Sequence, residues 1–299
     1  MFCPPPRRVA SRKLYMTVIA AVSFLVCSVS SAVAVPEGEF TVFANCPVSN
    51  PGLQACFVQR ITSGEITIGR QQLPLTNTLL IEGGLSHENG TGIQQLLGAV
   101  DGDTLSRAPQ KVPGGLNGLL KCDEISSSID RLACTSTLAN GTTAVNAIAE
   151  IAGPTSSIEL DRENLQLEKG VGLTLPLKVK LENPFLGNAC YIGSNANPIM
   201  LHLTNGSTNP PPPNKPIKGK FGAEASRGKG EILVIAGDSL IDNAFNAPQA
   251  TGCGANQSFL IDPIIDTKIG LPSTTGRNTA ILNSTIEQAG HNAIEEHDG

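Results

Sequence analysis

The chain has 299 residues, of which 40% are hydrophobic and 4% aromatic, and it contains no Trp. It carries 21 Lys and Arg against 26 Asp and Glu, a formal net charge of −5 at pH 7. This acidic balance argues against nucleic-acid binding, which needs a basic surface to release counterions from phosphates. The shortage of aromatic residues also disfavours the flat stacking surfaces that bind sugars or single strands.

The N-terminus has the three-part layout of a secretory signal peptide. Basic residues precede an uncharged apolar run over residues 14–29, and small residues follow it, ending Ala32-Val33-Ala34. We therefore predict a signal peptide over residues 1–34, cleavage near Ala34 and a secreted or extracytoplasmic mature chain. A retained anchor is the alternative, because the run approaches the roughly 20 residues that span a bilayer. Pro36 favours cleavage, since proline cannot extend a helix, and we expect no transmembrane span in the mature form.

Six cysteines remain after the predicted leader is removed. An even number in an exported chain predicts a disulfide framework, and the cysteines and the four histidines lack the close spacing of a zinc site. Several connectivities are possible. The shortest closures pair Cys46 with Cys56 and Cys122 with Cys134, which leaves Cys190 with Cys253. We expect no metal and no cofactor.

The first half of the mature chain predicts short strands and one short helix. A short helix is predicted over Ile93–Val100. The predicted strands are Glu39–Ala44, Ala55–Thr62, Glu65–Gly69 and Thr78–Glu82.

The strongest periodicity lies in the middle of the chain. From Val171 to Leu181 every second residue is apolar, which predicts a half-buried strand, and Pro176 places that strand at an edge or a bulge. A second alternation over Val145–Ile151 predicts another strand, although its alanines also allow a helix. Further strands are predicted at Ile199–Thr204 and Glu231–Ala236.

The C-terminal region predicts a helix over Thr279–Glu296 that packs its apolar stripe on the sheet. The stripe consists of Leu282, Ile286, Ala289 and Ala293.

Many short strands, frequent Gly and Pro turns and the lack of a strand–helix alternation predict a mostly β fold. We expect an antiparallel sandwich or barrel-like domain with disulfides and a short C-terminal helix. Residues 35–299 are predicted to form one domain, with a sub-boundary near residues 108–118 as the alternative. The proline-rich stretch Asn209–Pro216 is expected to be a rigid extended loop, or alternatively a ligand for a proline-recognising module.

One short block resembles a catalytic motif. The predicted strand at Ile232–Ile235 is followed by Gly237-Asp238-Ser239-Leu240, which is similar to the nucleophile block of the GDSL esterases and lipases. In that family the serine attacks an ester while backbone amides hold the oxyanion. The resemblance implies Ser239 as the nucleophile and its own amide as an oxyanion donor.

The chain departs from that family elsewhere. Only 59 residues follow Leu240, whereas the family opens its domain with this block. The family places its base in an Asp-x-x-His block, but neither His291 nor His297 has Asp three residues before it, and no Gly-x-Asn-Asp segment follows. The alternative for Gly237-Asp238 is a hairpin turn after a strand. Asp262 and Asp266 could form paired carboxylates of a glycosidase, although solvated surface acids are the more ordinary interpretation.

A broader resemblance covers most of the mature chain. The stretches Glu182–Gly193, Asn209–Ile217 and Asp242–Cys253 resemble those of uncharacterised exported proteins from high-GC Gram-positive bacteria. The resemblance implies a bacterial secreted or envelope protein. It implies no particular activity.

Two functional hypotheses follow. The first is a non-enzymatic structural or interaction module of the cell envelope with an unknown partner. The second is a secreted serine esterase that uses Ser239. An apolar cavity between sheets that binds a lipid is a third, which the sequence ties to no particular residue.

Overall fold

One antiparallel sheet of 14 strands dominates the structure, which confirms the mostly β prediction. The computed structural model describes residues 37–120, 122, 127–139 and 143–297, without the side chains of residues 130, 133, 134 and 137–139. The predicted signal peptide lies outside these residues. Within the described part, no helix is both long enough and apolar enough to cross a bilayer.

The first half of the sheet has the strand order β11-β12-β14-β1-β3-β4, and β2 pairs with the end of β1. Its strands are β1 (Leu53–Ile68), β2 (Gln71–Pro74), β3 (Leu79–Ser86), β4 (Ile93–Gly98), β11 (Ala223–Arg227), β12 (Ile232–Asp242) and β14 (Thr279–Gly290).

The second half continues from β4 in the order β7-β8-β6-β5, and β9 and β10 also pair with β8. Its strands are β5 (Gln110–Lys111), β6 (Asn146–Ile151), β7 (Glu159–Asp161), β8 (Leu173–Glu182), β9 (Tyr191–Ile192), β10 (Ile199–Leu203) and β13 (Ala250–Thr251).

The two halves are joined on both sides. Strand β4 pairs with β3 at its C-terminal end and with β7 at its N-terminal end. On the opposite side Thr204, which follows β10, exchanges two backbone hydrogen bonds of 2.9 Å with Ile241 of β12. The sheet thereby encloses one large hydrophobic core that includes Phe57, Leu175 and Leu282.

A second, smaller core lies on the outer face of the first half. Alternation along β1 sends Phe57 into the large core and its neighbours Cys56 and Val58 into this second one. Phe40 and Phe43 cover it from the N-terminal side, and Ile294 covers it from the C-terminal side. Both faces of β1 are therefore buried in its first half, which places it at the centre of the fold.

Five α-helices in the described residues are short and peripheral. They are α1 (Gly115–Leu119), α2 (Ser128–Ala139), α3 (Arg162–Gln166), α4 (Ser258–Ile269) and α5 (His291–Glu296). The last of these confirms the expected short C-terminal helix.

Several local predictions were wrong. Residues 39–44 form no strand but a 3-10 helix, Gly38–Phe43, because Phe40 and Phe43, three residues apart, both enter the outer core. Residues 93–100 form strand β4, in which the buried Gln94 takes the place of an apolar residue and hides the period of two.

The bounds predicted for the C-terminal helix, Thr279–Glu296, were also wrong over most of their length. Residues Thr279–Gly290 form strand β14, which lies between β1 and β12, and only His291–Glu296 are helical. The hairpin alternative for Gly237-Asp238 was wrong as well, because β12 continues to Asp242.

The disulfides Cys46–Cys56 and Cys190–Cys253 are present, with Cα–Cα distances of 5.6 and 4.1 Å. These are two of the three pairings expected from the sequence. Cys122 is also disulfide-bonded, and the side chain of Cys134, its expected partner, lies outside the described residues. The described residues from 37 to 297 belong to one compact unit, which includes residues 108–118.

Candidate functional site

Ser239, the predicted nucleophile, lies inside strand β12 rather than on a turn after it. The register between β12 and β14 shifts between Ala236 and Asp238, and Gly237 has φ +72° in the resulting bulge. Beyond the bulge the Ser239 amide donates to Lys220 O at 2.8 Å, and the Lys220 amide donates to Ser239 O at 3.1 Å. The Ser239 amide is thus engaged in the ladder and is not free to hold an oxyanion.

The histidines that could serve as a base have other partners. His291 Nε2 lies 3.0 Å from Val48 O, and His297 Nε2 lies 3.2 Å from Glu231 Oε2. Among the hydrogen bonds of the described residues, none joins Ser239 Oγ to His87, His202, His291 or His297. A serine without a positioned base is an ordinary alcohol, so the geometry does not supply the esterase mechanism.

Asp242 and Asn243, which follow Ser239 in the chain, form hydrogen bonds that hold neighbouring segments in place. Asp242 Oδ2 accepts from the His202 amide at 2.7 Å and its Oδ1 accepts from the Ala244 amide at 2.8 Å. Burial raises the pKa of Asp242, and these two backbone hydrogen bonds oppose the rise. Asn243 Nδ2 donates to Lys215 O at 2.8 Å and so ties the proline-rich segment to the end of β12.

Asp262 and Asp266, the paired-carboxylate candidate, also bind backbone amides. Asp262 accepts from Cys253 N at 2.7 Å and from Gly252 N at 3.0 Å, and Asp266 accepts from Ala250 N at 2.8 Å. Both carboxylates therefore hold the segment around the Cys190–Cys253 disulfide onto α4. In the described residues, no cluster of three or more His, Cys, Asp or Glu side chains could hold a metal ion.

An open groove next to Asp242, lined in part by His202 and Ala244, has a volume of about 510 Å³. Its lining includes His202, Met200 and several proline and small polar residues, and His202 is the one titratable side chain among them. The side chain of Asn246, which also lines it, accepts from the Thr275 amide at 2.8 Å. This groove presents no convergent set of reactive groups.

The strongest candidate for a binding site is an apolar cleft between the two sheet halves. Fourteen of its 16 lining residues are Ala, Val, Leu or Ile, and the other two are Gln71 and Gln110. The cavity volume is about 60 Å³, and the cleft is partly open to solvent. Four aliphatic side chains of its lining are only partly buried: Ile66, Leu73, Ala149 and Val179.

One wall of the cleft is the hairpin of β1 and β2. Ile66 pairs with Leu73 and Ile68 pairs with Gln71, so these side chains share one face of the hairpin. Gly69 in the two-residue turn has φ +56°, and a Cβ there would lie 2.4 Å from Ile269 O, so the turn requires glycine. The Arg70 amide donates to the same oxygen at 2.7 Å, which anchors the hairpin to the end of α4.

The opposite wall is formed by β6 and β8, where small residues of one strand oppose larger residues of the other. Ala147 pairs with Leu181 and Ala149 pairs with Val179, and all four line the cleft. The side chains of Ala147 and Ala149 are too short to reach the β1–β2 hairpin, so the space between the two sheet halves is not filled.

The polar residues of the cleft are mostly occupied. Gln110 Oε1 accepts from the amides of Thr76 and Asn77 at 2.8 and 3.0 Å, and its Nε2 donates to Asn77 O at 2.9 Å. Gln71 Nε2 donates to Gln72 O at 3.1 Å. The cleft therefore offers dispersion contacts and little polar recognition.

Only an indirect indication of this cleft is present in the sequence. The alternation Val145, Ala147, Ala149 and Ile151 places two small residues on the inner face of a strand, where larger residues are usual. That these alanines lie opposite the β1–β2 hairpin depends on contacts between distant parts of the chain.

Comparison with known proteins provides no relative from which a function could be transferred. No family model matches the sequence, and neither a curated protein nor a solved structure matches it. The case for function rests on the residues of the chain itself.

Proposed function

We propose that the protein is a non-enzymatic extracytoplasmic β-domain whose cleft holds the end of an aliphatic chain, such as the acyl chain of an envelope lipid. The observation that carries the proposal is the lining of the cleft, in which 14 of 16 residues are aliphatic. A pocket of this composition gains free energy by removing apolar ligand surface from water.

The lining also restricts the chemistry of the ligand. It contains no aromatic residue for stacking and no charged residue for a head group. Because the cleft is partly open to solvent, a polar head group can stay in solvent while the chain end enters. A linear aliphatic chain with a solvated head group satisfies these conditions.

The size of the cavity sets the expected affinity. A volume of about 60 Å³ accommodates roughly four water-sized spheres, which corresponds to a chain end and not to a whole lipid. Burial of about four methylene groups at about 0.8 kcal/mol each contributes roughly 3 kcal/mol. We therefore expect a dissociation constant in the millimolar range for a single short chain.

The location outside the cytoplasm is part of the proposal. It is supported by the signal-like residues 1–34, by the disulfides Cys46–Cys56 and Cys190–Cys253, and by the resemblance to exported proteins of high-GC Gram-positive bacteria. Sequencing of the N-terminus of protein recovered from the culture medium or the envelope fraction tests it. We expect the mature chain to begin near Val35, and an intact leader on the recovered protein would contradict cleavage.

Binding can be tested by titrating the mature protein with decanoate, with acetate as a control that has the same head group and almost no chain. Saturation transfer from protein methyl groups to the ligand measures the binding. We expect saturable binding of decanoate and none of acetate.

Two variants with the same chemical change locate the binding. Ala149→Phe fills the cleft, whereas Ala225→Phe adds the same ring on the exposed strand β11. We expect Ala149→Phe to weaken decanoate binding at least tenfold and Ala225→Phe to leave it unchanged. If Ala149→Phe does not fold, Val179→Lys replaces it as the cleft variant. It places a charge at a partly buried position of the cleft, and we expect the same loss of binding. Equal binding by wild type and both cleft variants, with native circular dichroism spectra, would refute the proposal.

A further inference from the structure

Asn205 and Asp238, the residue before Ser239 in β12, form a fully buried polar pair. Both residues are 0% exposed, and Asn205 Nδ2 donates to Asp238 Oδ1 at 2.7 Å. Asn205 begins the proline-rich loop after β10, and Asp238 follows the bulge in β12. The pair therefore connects that loop, residues 205–219, to a central part of the sheet.

Each partner keeps one oxygen without a donor. In the described residues six buried side-chain atoms lack a hydrogen-bond partner, and two of them are Asn205 Oδ1 and Asp238 Oδ2. An amide oxygen and a carboxylate oxygen can only accept, so neither can satisfy the other. A buried acceptor left in this state is costly, and more so when it is charged.

The groups packed around the pair provide no compensating charge. Ser284 of β14 lies opposite Asp238, and its Oγ accepts from the neutral Gln59 side chain at 2.9 Å. Lys220, next to the pair along the loop, is exposed, and Glu168 accepts from the Phe221 amide and pairs with Lys218. Burial raises the pKa of Asp238 to about 6, against the opposing hydrogen bonds from the Asn205 and Gly222 amides.

We propose that Asp238 and Asn205 form a neutral acid–amide pair, in which a proton on Asp238 Oδ2 is donated to Asn205 Oδ1 and fastens the loop to β12. A single proton then satisfies both of the unpartnered oxygens. Loss of the proton leaves a buried carboxylate oxygen and an amide oxygen without donors, and it weakens the attachment of the loop. The pair acts as a proton-dependent clasp.

The clasp acts on the base of the loop, where its first and last residues lie. Near the pair, the Gly219 amide donates to Gly206 O at 2.9 Å and the Lys220 amide donates to Ser239 O at 3.1 Å. The part of the loop farther from the pair is held independently, because Asn214 Nδ2 donates to Asn243 O and Asn278 O at 2.9 and 2.8 Å. Deprotonation should therefore loosen the amides of Gly219 and Lys220 and spare the backbone amide of Asn214, which donates to Gly276 O at 3.0 Å.

Hydrogen exchange of these amides, corrected for the intrinsic effect of pH, provides the test. We expect the protection of Gly219 and Lys220 to be about tenfold greater at pH 5 than at pH 7.5, with no change at Asn214. Asp238→Asn keeps the paired geometry with a permanent N–H donor, so its protection should be high at both pH values.

Asp242→Asn serves as the matched control. It changes a second buried aspartate on the same strand that accepts two backbone amides, and it should retain the pH dependence of Gly219 and Lys220. The carboxyl ¹³C shift of Asp238 reports its protonation directly, and we expect a midpoint near pH 6. A midpoint below pH 5, or equal protection of Gly219 at both pH values in the wild type, would overturn the proposal.

Discussion

Replacement of Asp238 by Asn should change how the stability of the protein depends on pH. The wild-type carboxyl has a pKa near 6 in the folded state, raised from 3.8 by burial. Between these two values the folded state keeps a proton that the unfolded state has lost. The contribution of Asp238 to the free energy of unfolding is therefore at its maximum below about pH 4, and it decreases as the pH rises through 6.

The structure gives the size of this fall. The two pKa values differ by about 2 pH units, and each unit corresponds to about 1.4 kcal/mol, so the loss reaches about 3 kcal/mol above pH 7. Asp238→Asn removes the titration and keeps a donor toward Asn205 Oδ1. The free energy of unfolding of the wild type, relative to that of the variant, should thus fall by about 3 kcal/mol between pH 3.5 and pH 7.5.

Urea unfolding at a series of pH values, followed by far-ultraviolet circular dichroism with the disulfides intact, measures this difference. Taking the difference between two proteins cancels the contributions of other groups, among them Glu168, whose pKa is lowered, and Asp266, whose pKa is raised. A difference that stays constant across the pH range, or that grows with pH, would show that Asp238 is ionised in the folded state and that the linkage argument fails.

Two further predictions concern the serine and the disulfides. Ser239→Ala should leave the rate of p-nitrophenyl ester turnover at the wild-type level, because the Ser239 amide is engaged with Lys220 and, within the described part of the chain, no histidine is hydrogen-bonded to its hydroxyl. A loss of turnover would support the esterase mechanism instead. Removal of Cys190–Cys253 by double alanine substitution should cost more stability than removal of Cys46–Cys56, because the closed loops span 63 and 10 residues. The chain-entropy model gives about 4 and about 3 kcal/mol respectively, and urea midpoints that rank the two variants in the opposite order would contradict it.

Much of the fold follows from local patterns in the sequence. The alternation from Leu173 to Leu181 predicted β8, and the pattern over Val145–Ile151 predicted β6, because each strand buries one face. The sequence predicts a helix where the structure has strand β14, because Leu282 and Ile286, four residues apart, satisfy both the helical period and the strand period. The segment forms a strand because it pairs with β1 on one side and with β12 on the other.

The functional sites depended on contacts that the sequence does not reveal. The Gly237-Asp238-Ser239-Leu240 block matched a catalytic motif, but the bulge at Gly237 is part of a strand that also pairs with residues around Lys220. Asn205 and Asp238 are 33 residues apart, and their pairing follows from the bridge between Thr204 and Ile241. The cleft likewise arises where the β1–β2 hairpin meets β6 and β8.

The most direct test of the proposed function is to map which methyl groups respond to an aliphatic ligand. The mature protein, labelled at the methyl groups of Ile, Leu and Val, is titrated with decanoate, and the methyl chemical shifts are followed. If the cleft binds the aliphatic chain, we expect saturable shifts at Ile66, Leu73 and Val179. We expect none at Ile129 and Leu132, which are 79% and 70% exposed on α2. Shifts confined to Ile129 and Leu132, or no saturable shift in the cleft, would contradict the claim that the cleft is a binding site.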